Sequence, residues 1–371
     1  MPRPVSSRGA AWRTRAQALA ALLPKDRLHP RVLAWAEARP AGERWAVALS
    51  GGADSLCLLL LLFAHWPGRR PALGALHFNH RLRGASARGD EAFCRKVCRA
   101  LGVAYASGIW RGAPASASEA AARAARFDFF GQEVKRGRRR ALWLGHHQDD
   151  IAETLLMRLA RGSGTGGLAA PRPLQAGPGD YARVRPLLTL KKTEIVGALR
   201  AAGIPWREDA SNRNDDFFRN RIRRRVLPGW ARAAAGRDAL AGAANSRELL
   251  EEDDEALEAW TEQLAALTPG GRLNLAKLQG RPRAVVRRAL HRWLLAQKGA
   301  GRLSRHGFAG LLAMVEAGPT GPARPRAVKR YSLGADGFAV IRGKWLRFEE
   351  KGPNRLKGSR KGVSRKAPKV S

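Results

Sequence analysis

From Trp45 to about Ile204 the sequence alternates strand-sized apolar runs with helix-sized amphipathic stretches: WAVAL then LCLLLLLFA, LGALHF then DEAFCRKVCRAL, ALWLG then IAETLLMRLA. Continuous apolar runs suit strands covered on both faces, and helices between them are the crossovers that parallel strands require. The pattern predicts an α/β fold with a doubly wound, mainly parallel sheet. Ligands in such sheets sit outside the carboxyl ends of the strands, so the residues after each apolar run are the ones to search.

The rest of the chain reads differently. An acidic stretch from Ser246 to Leu267 carries leucines at helical spacing, and Arg281 to Gln297 forms a basic amphipathic pattern, so a smaller, mainly helical second domain is expected. After Pro325, AVKRYSLGADGFAVIRGKWLRF alternates with period two and turns near Gly334 to Gly337, as a hairpin or small meander does. The expected organisation is a basic N-terminal arm and helix over 1–40, the α/β domain over 41–230, the helical domain with its terminal hairpin over 231–350, and a disordered basic tail over 351–371. No internal repeat is found.

Lys and Arg number 68 against 31 Asp and Glu, a net charge of +37, while 44% of residues are hydrophobic. Such a chain folds, yet attracts polyanions, so nucleic acid or an anionic membrane surface comes into view. The longest apolar run, Leu56 to Ala64, is about half the roughly 20 residues of a membrane span. Cys57, Cys94 and Cys98 cannot form a disulfide framework, and none makes a CxxC pair; they read as small buried hydrophobes in a reducing, cytoplasmic protein. The acid-free first 25 residues lack the apolar core of a secretory signal and read as an arm.

Three motifs carry chemistry. Ser50-Gly51-Gly52-Ala53-Asp54-Ser55 joins a strand to an apolar helix; its glycines let backbone N–H groups approach an anion, and the helix start adds partial positive charge. It is no Walker A loop, because the lysine is missing. A carboxylate stands there instead, and Asp54 beside phosphates implies Mg²⁺ shared with a nucleotide. A plain Gly-Gly turn capped by Asp54 or Ser55 remains the alternative. The second motif, His146-His147-Gln148-Asp149-Asp150 with Glu153, follows the ALWL strand, which places three acids at a helix start on the same sheet edge. Zinc is disfavoured because no third His or Cys has useful spacing. Third, Arg219, Arg221, Arg223, Arg224 and Arg225 surround one helix, so some must face inward, toward phosphates or toward acids such as Asp209 and Asp215. The glycine-rich Arg161 to Gly167 is a candidate lid or a simple linker.

These segments resemble a known family. SGGADS is similar to the loop of N-type ATP pyrophosphatases, adenine nucleotide alpha hydrolase-like enzymes that activate a carbonyl oxygen with ATP. LHFNHRLRGASARGDEAFCRKVCRALG, EAAARAARFDFF, LGHHQDDIAETLLMRLARGSGTGGLAAPRPL and RPLLTLKKTEIVGALRAAGIPWREDASNRNDDFFRNRIRRRVLP resemble the tRNA(Ile)-lysidine synthetase family, in order from about Ala46 to Pro228. Beyond Pro228 the likeness is loose; the resemblance implies a PP-loop ATP pyrophosphatase catalytic domain over 41–230 and a tRNA- or substrate-binding domain over 231–350, and the remaining length is short for the additional C-terminal domain many members carry. Phe127 stands where the family often has Tyr.

The resemblance implies a ligase that adenylates C2 of the wobble cytidine of a CAU-anticodon tRNA(Ile) with ATP and then joins free L-lysine to it. On that likeness Ser50, Gly51, Gly52, Ala53, Asp54 and Ser55 form the ATP-binding loop, with Ser50, Gly51, Gly52 and Ser55 holding the phosphates, and His77 and Asn79 lie where adenine or ribose is received. Asp54, Asp149 and Asp150 hold Mg²⁺; Glu153 takes lysine, with Glu119 and Asp149 as alternatives; Arg81, Arg83, Arg219, Arg221 and Arg223 contact tRNA or phosphate. A homodimer is left open and a membrane partner is not expected. Three rivals are weighed. tRNA thiolation by a related enzyme lacks its paired cysteines here. A non-catalytic RNA-binding protein would not keep Asp54, Asp149, Asp150 and Glu153 together at an electrostatic cost. A small-molecule amide ligase would not need the basic tail.

Overall fold

The computed structural model describes residues 7–80, 85–110, 118–208, 217–297, 303–317, 328–334 and 337–351. Arg81, Arg83, Asp209, Asp215 and nearly all of the expected basic tail lie outside them. The chain divides into two compact units, Met1–Glu252 and Asp253–Ser371, with the division inside one long helix, α11 (Ala239–Gln263).

The first unit is built on a six-stranded sheet. Helices α1 (Ser7–Leu22) and α2 (Pro30–Glu37) precede β1 (Trp45–Ala48), α3 (Ala53–His65), β2 (Leu73–Asn79), α4 (Ala85–Leu101), β3 (Ala104–Ile109) and α5 (Glu119–Arg136). There follow β4 (Ala141–Trp143), α6 (Gln148–Leu159), the short α7 (Thr165–Leu168), β5 (Leu174–Ala176), β6 (Ala182–Val184) and α8 (Lys192–Ala201). The strand order is β3-β2-β1-β4-β6-β5, parallel except for β5 against β6. The expected doubly wound sheet is present, with one antiparallel edge.

Residues Leu56 to Phe63 of α3 are all buried, which is why that helix shows no polar face in the sequence. One side of the sheet packs on α3 with residues of α1, α4 and α8; the other packs Ala46, Leu76, Leu142 and Leu144 against Phe130 and Val134 of α5. Trp45 of β1 and Trp143 of β4 meet at a 46° tilt with ring centroids 4.6 Å apart, pinning the two central strands. The arginine-rich helix is interrupted. α9 (Phe218–Arg221) passes through a wide turn at Ile222–Val226 into α10 (Leu227–Ala233), and Pro228, having no N–H, cannot supply the bond a regular turn would need there.

In the second unit, α12 (Arg283–Leu295) and α13 (Arg305–Glu316) pack on a four-stranded antiparallel sheet of order β7-β10-β9-β8: β7 (Leu273–Asn274), β8 (Lys329–Ser332), β9 (Gly337–Arg342) and β10 (Trp345–Glu350). The region is helical as expected, but the hairpin is part of a larger sheet because β7 adds to its edge. β7, only two residues long, is too short to leave a sequence signal.

His29, which precedes α2, illustrates the cost of the first unit's polar seams. It is 3% exposed; Nε2 lies 3.4 Å from Glu248 Oε1, and neither ring nitrogen makes a hydrogen bond of good geometry among the described residues. Burial, then Arg247, lowers its pKa from 6.5 to about 4. The unfolded chain therefore takes up the proton first as pH falls. Stability is unaffected above about pH 6.5 and falls as pH drops from there toward 4, because the folded state resists the proton that the unfolded chain accepts. Denaturant unfolding at pH 7 and pH 5 is expected to show this loss in the parent and a smaller one in His29→Asn; equal losses would disprove it.

Candidate active site

Chain order reverses between the adjacent parallel strands β1 and β4, and loops leaving their carboxyl ends meet there. β1 runs through Ser50-Gly51-Gly52 into α3, and β4 runs through Gly145-His146-His147 into α6. Gly51 has φ +93°, which a side chain would strain, and its carbonyl accepts from the Arg207 N–H at 2.9 Å. A Cβ on Gly145 would come within 2.9 Å of the Asp54 backbone carbonyl, so the loops touch only because that position is bare.

Hydroxyls brace the first loop. The Ser50 N–H donates to Ser55 Oγ at 3.1 Å, the two Oγ atoms are 2.9 Å apart, and Ser55 Oγ donates to the Gly52 carbonyl at 3.1 Å. Gly52 caps α3 without a side-chain hydrogen bond, which suits the opening turn to an anion. His77 and Asn79 end β2 nearby, both buried. His77 Nδ1 lies 2.9 Å from the Leu49 carbonyl, so the ring braces the loop from beneath. Burial lowers its pKa and keeps it neutral.

His147 is the hub of the acidic residues. Nδ1 lies 3.3 Å from Asp149, and Nε2 lies 3.5 Å from Asp150 and 3.7 Å from Asp54. Burial works against its charged form, but Asp150, Asp149 and Asp54 outweigh it, and the pKa is raised. Asp54 also pairs with Lys192 Nζ at 2.5 Å, and the Lys192 N–H donates to Asp149 at 2.9 Å. Burial would raise the Asp149 pKa, but His147 and that N–H hold it below its usual value.

Asp150 and Glu153 face the other way. Asp150 accepts from the His147 N–H at 2.9 Å and from Arg219 Nη2. Glu153, fully buried, accepts from Arg219 Nε at 2.6 Å and Arg223 Nε at 2.5 Å. Burial opposes ionisation of Asp150, yet His147 and then Arg219 keep its carboxyl well below the usual range. Arg221 lies instead over the Phe218 ring, and Glu119 is exposed at the start of α5.

These contacts sort the expected residues. Asp54 and Asp149 meet at His147 and Lys192. Asp150, expected with them as a metal ligand, is committed to Arg219 and the His147 N–H. Among the described residues no group of three or more His, Cys, Asp or Glu is arranged to hold a metal. The donors present fit Mg²⁺ in its common mode, with one or two carboxylates and the remainder from phosphate and water.

Several residues were not singled out from the sequence. Lys192 opens α8. Arg123 and Arg126 lie in EAAARAARFDFF on α5. With Arg183 they place guanidiniums 4.9, 5.5 and 4.7 Å from the Phe127 ring centre. Arg126 Nε and Arg183 Nε are buried with no hydrogen-bond partner among the described residues. Burial, then Arg123, pushes both Arg126 and Arg185 down to about 10. Arg185 Nε donates to His146 Nδ1 at 3.2 Å, which fixes His146 as a neutral acceptor. This arginine wall is a place for an anion. The candidate lid is tied to α6, since Arg158 Nη1 donates to the Gly167 carbonyl.

Comparison with known proteins gives a consistent picture. The PP-loop domain family matches residues 26–230. A tRNA(Ile)-lysidine synthase of Geobacter sulfurreducens is 38% identical over 273 residues, 70% of this chain and 56% of the relative. One from Pseudomonas syringae pv. tomato is 42% identical over 216 residues, 56% of this chain and 47% of the relative. One from Gloeobacter violaceus is 35% identical over 311 residues, covering 83% of this chain and 91% of the relative. The first six curated relatives are longer proteins, of which this chain spans about half.

Proposed function

The chain belongs to the tRNA(Ile)-lysidine synthase family of PP-loop proteins, and on that premise we propose that it is an ATP-dependent ligase that joins free L-lysine to the wobble cytidine of a CAU-anticodon tRNA(Ile). The observation that carries this reading is the meeting of the Ser50–Ser55 loop with Asp54, Asp149, His147 and Lys192 at the switch point of the sheet. An anion-cradling loop beside carboxylates and a lysine suits a nucleotide triphosphate whose terminal phosphates leave together.

In the first step the cytidine C2 oxygen attacks the α-phosphorus of ATP. The bond to the bridging oxygen breaks and pyrophosphate departs. Ser50, Ser55 and the opening turn of α3 orient the phosphates, and Lys192 lies beside the leaving group. Mg²⁺ held by Asp54 and Asp149 would neutralise the charge developing there. In the second step an uncharged amine of lysine attacks C2, the C2–O bond breaks, and AMP leaves. The amine first gives up a proton to a carboxylate. Glu153 is the candidate, with Glu119 and Asp149 as alternatives. Both oxygens of Glu153 already accept from guanidiniums, so its use requires the more exposed Arg223 to yield. The arginine wall around Phe127 suits the nucleotide phosphate or the lysine carboxylate, while Arg219 and Arg223 position the acids. A cytoplasmic setting is part of the proposal, supported by three free, buried cysteines.

The test supplies purified protein with Mg²⁺-ATP, radiolabelled lysine and a CAU-anticodon tRNA transcript. Label is expected in the tRNA together with released pyrophosphate. Absence of label under single-turnover conditions refutes the reading, and label in a transcript whose wobble cytidine is replaced refutes the assigned position.

A further inference from the structure

We propose that the cavity at the amino ends of β1 and β4 binds a small phosphomonoester, at the edge of the sheet opposite the glycine loop. It is lined by Pro40, Gly42, Glu43, Arg44, Arg138 and Arg140 and measures about 340 Å³. Small-molecule sites run from roughly 300 to 1,000 Å³, so it has room for one such ligand. The inference stands apart from the ligase reading and adds a second site to the same sheet.

Two segments that enter the sheet side by side make the walls. Residues 40–44 lead into β1 and residues 138–140 into β4, strands that pair in parallel with Trp45 opposite Ala141. The Arg140 N–H donates to the Arg44 carbonyl at 2.9 Å and stitches the segments together. Carbonyl oxygens near the cavity, which would repel an anion, are already engaged. Arg69, lying 4.0 Å over the Trp45 ring, donates to the carbonyls of Ala36, Arg39 and Pro40 at 3.2, 2.5 and 2.7 Å. The Gly137 carbonyl, at the end of α5, accepts from Arg44 at 3.5 Å, and Glu43 accepts from Trp45 Nε1 at 3.1 Å.

The donors are far less committed. Arg140 meets Asp180 at 3.4 Å, but that carboxylate is 94% exposed and holds it weakly. The Arg138 side chain has no ion pair or hydrogen bond among the described residues. It is held at the cavity at a conformational cost. The chain leaves α5 with the Arg138 N–H on the Lys135 carbonyl at 3.0 Å and the Arg139 N–H on the Val134 carbonyl at 2.9 Å, a closing turn whose left-handed residue is usually glycine. Arg138 takes that place with φ +49°, while the adjacent Gly137, at φ −82°, does not. Strain of this kind gathers at ligand sites.

Charge and size select the ligand. Three arginines against Glu43 give the lining a net charge of +2. A phosphomonoester carries about −1.5 to −2 at neutral pH and offers three acceptor oxygens, so it answers both the charge and the guanidinium forks. A carboxylate brings half that charge. A nucleic-acid backbone carries one charge per phosphate and calls for a track of cations rather than one cavity.

The experiment titrates glycerol phosphate into the full chain by calorimetry, with dimethyl phosphate, a singly charged diester, as the control. Saturable binding of the monoester is expected, with the diester weaker by roughly tenfold or more. Arg138→Gly is expected to weaken the monoester by roughly tenfold while holding or raising Tm, because glycine relieves the left-handed turn; a folding defect would lower both. Equal affinity for the two probes shows an adventitious ion only and overturns the proposal. Unchanged affinity in both Arg138→Gly and Arg44→Gln also overturns it, by placing the monoester elsewhere. So does an Arg138→Gly variant that loses affinity for an RNA hairpin but not for glycerol phosphate, which would assign these arginines to an RNA backbone. No ATP, lysine or tRNA enters the titration, so this result and the ligation assay fail independently.

Discussion

Asp54→Asn is expected to lower pyrophosphate release by about two to three orders of magnitude while leaving tRNA affinity close to unchanged. The substitution keeps the side chain's size and removes its charge. Asp54 stands on the first turn of α3, where phosphates are expected, and its ion partner is Lys192. On the proposed mechanism the loss of this carboxylate would leave Asp149 alone to hold the Mg²⁺ beside the departing pyrophosphate, so the charge developing late in the step would be poorly answered. Ground-state binding behaves differently. A negative charge beside a triphosphate is repulsive, so the KM for ATP is expected to stay level or fall while kcat collapses. Single-turnover pyrophosphate release and tRNA anisotropy measure the two halves of this statement. Unchanged release would remove Asp54 from the chemistry, and equal loss of release and tRNA binding would make it merely structural.

Arg219→Met is expected to cost about 3–5 kcal/mol of stability, the usual penalty for leaving buried carboxylates without their cation. Arg219 reaches both Asp150 and Glu153, whereas Arg223 has its close contact with Glu153 and lies 3.8 Å from Asp150. Arg223→Met should therefore cost less, since Arg219 still serves both acids. For a unit of this size a loss of that order lowers Tm by roughly 10 °C. Thermal and denaturant unfolding of the two variants measure it. Equal losses, or a loss under about 1 kcal/mol for Arg219→Met, would show that the network relaxes around the gap.

Much of the first unit could be read from the sequence because its signals are local. Buried parallel strands announce themselves as unbroken apolar runs, and a glycine loop followed by Asp54 and Ser55 carries its geometry in a few consecutive residues. What escaped was long-range pairing. Nothing near Lys192 in sequence announces Asp54 as its partner, and the surrounding Lys191 and Glu194 read as an ordinary helix start. Nothing in EAAARAARFDFF announces that the guanidiniums of Arg123 and Arg126 meet the Phe127 ring. The inward-facing arginines were expected from their crowding on one helix, but Asp150 and Glu153 as their targets were not, because the nearer Asp209 and Asp215 were the obvious partners. Asp150 shows the consequence: three acids at one helix start suggested a shared cation, yet the third is consumed by Arg219.

The bare position at Gly145 ties together two motifs that lie far apart along the chain. Any side chain there would press on the backbone of Asp54, so neither loop can drift without the other. A chimaera that takes the first loop from one relative and the second from another would join surfaces with separate histories. The two are better regarded as a single heritable part, exchanged whole or not at all.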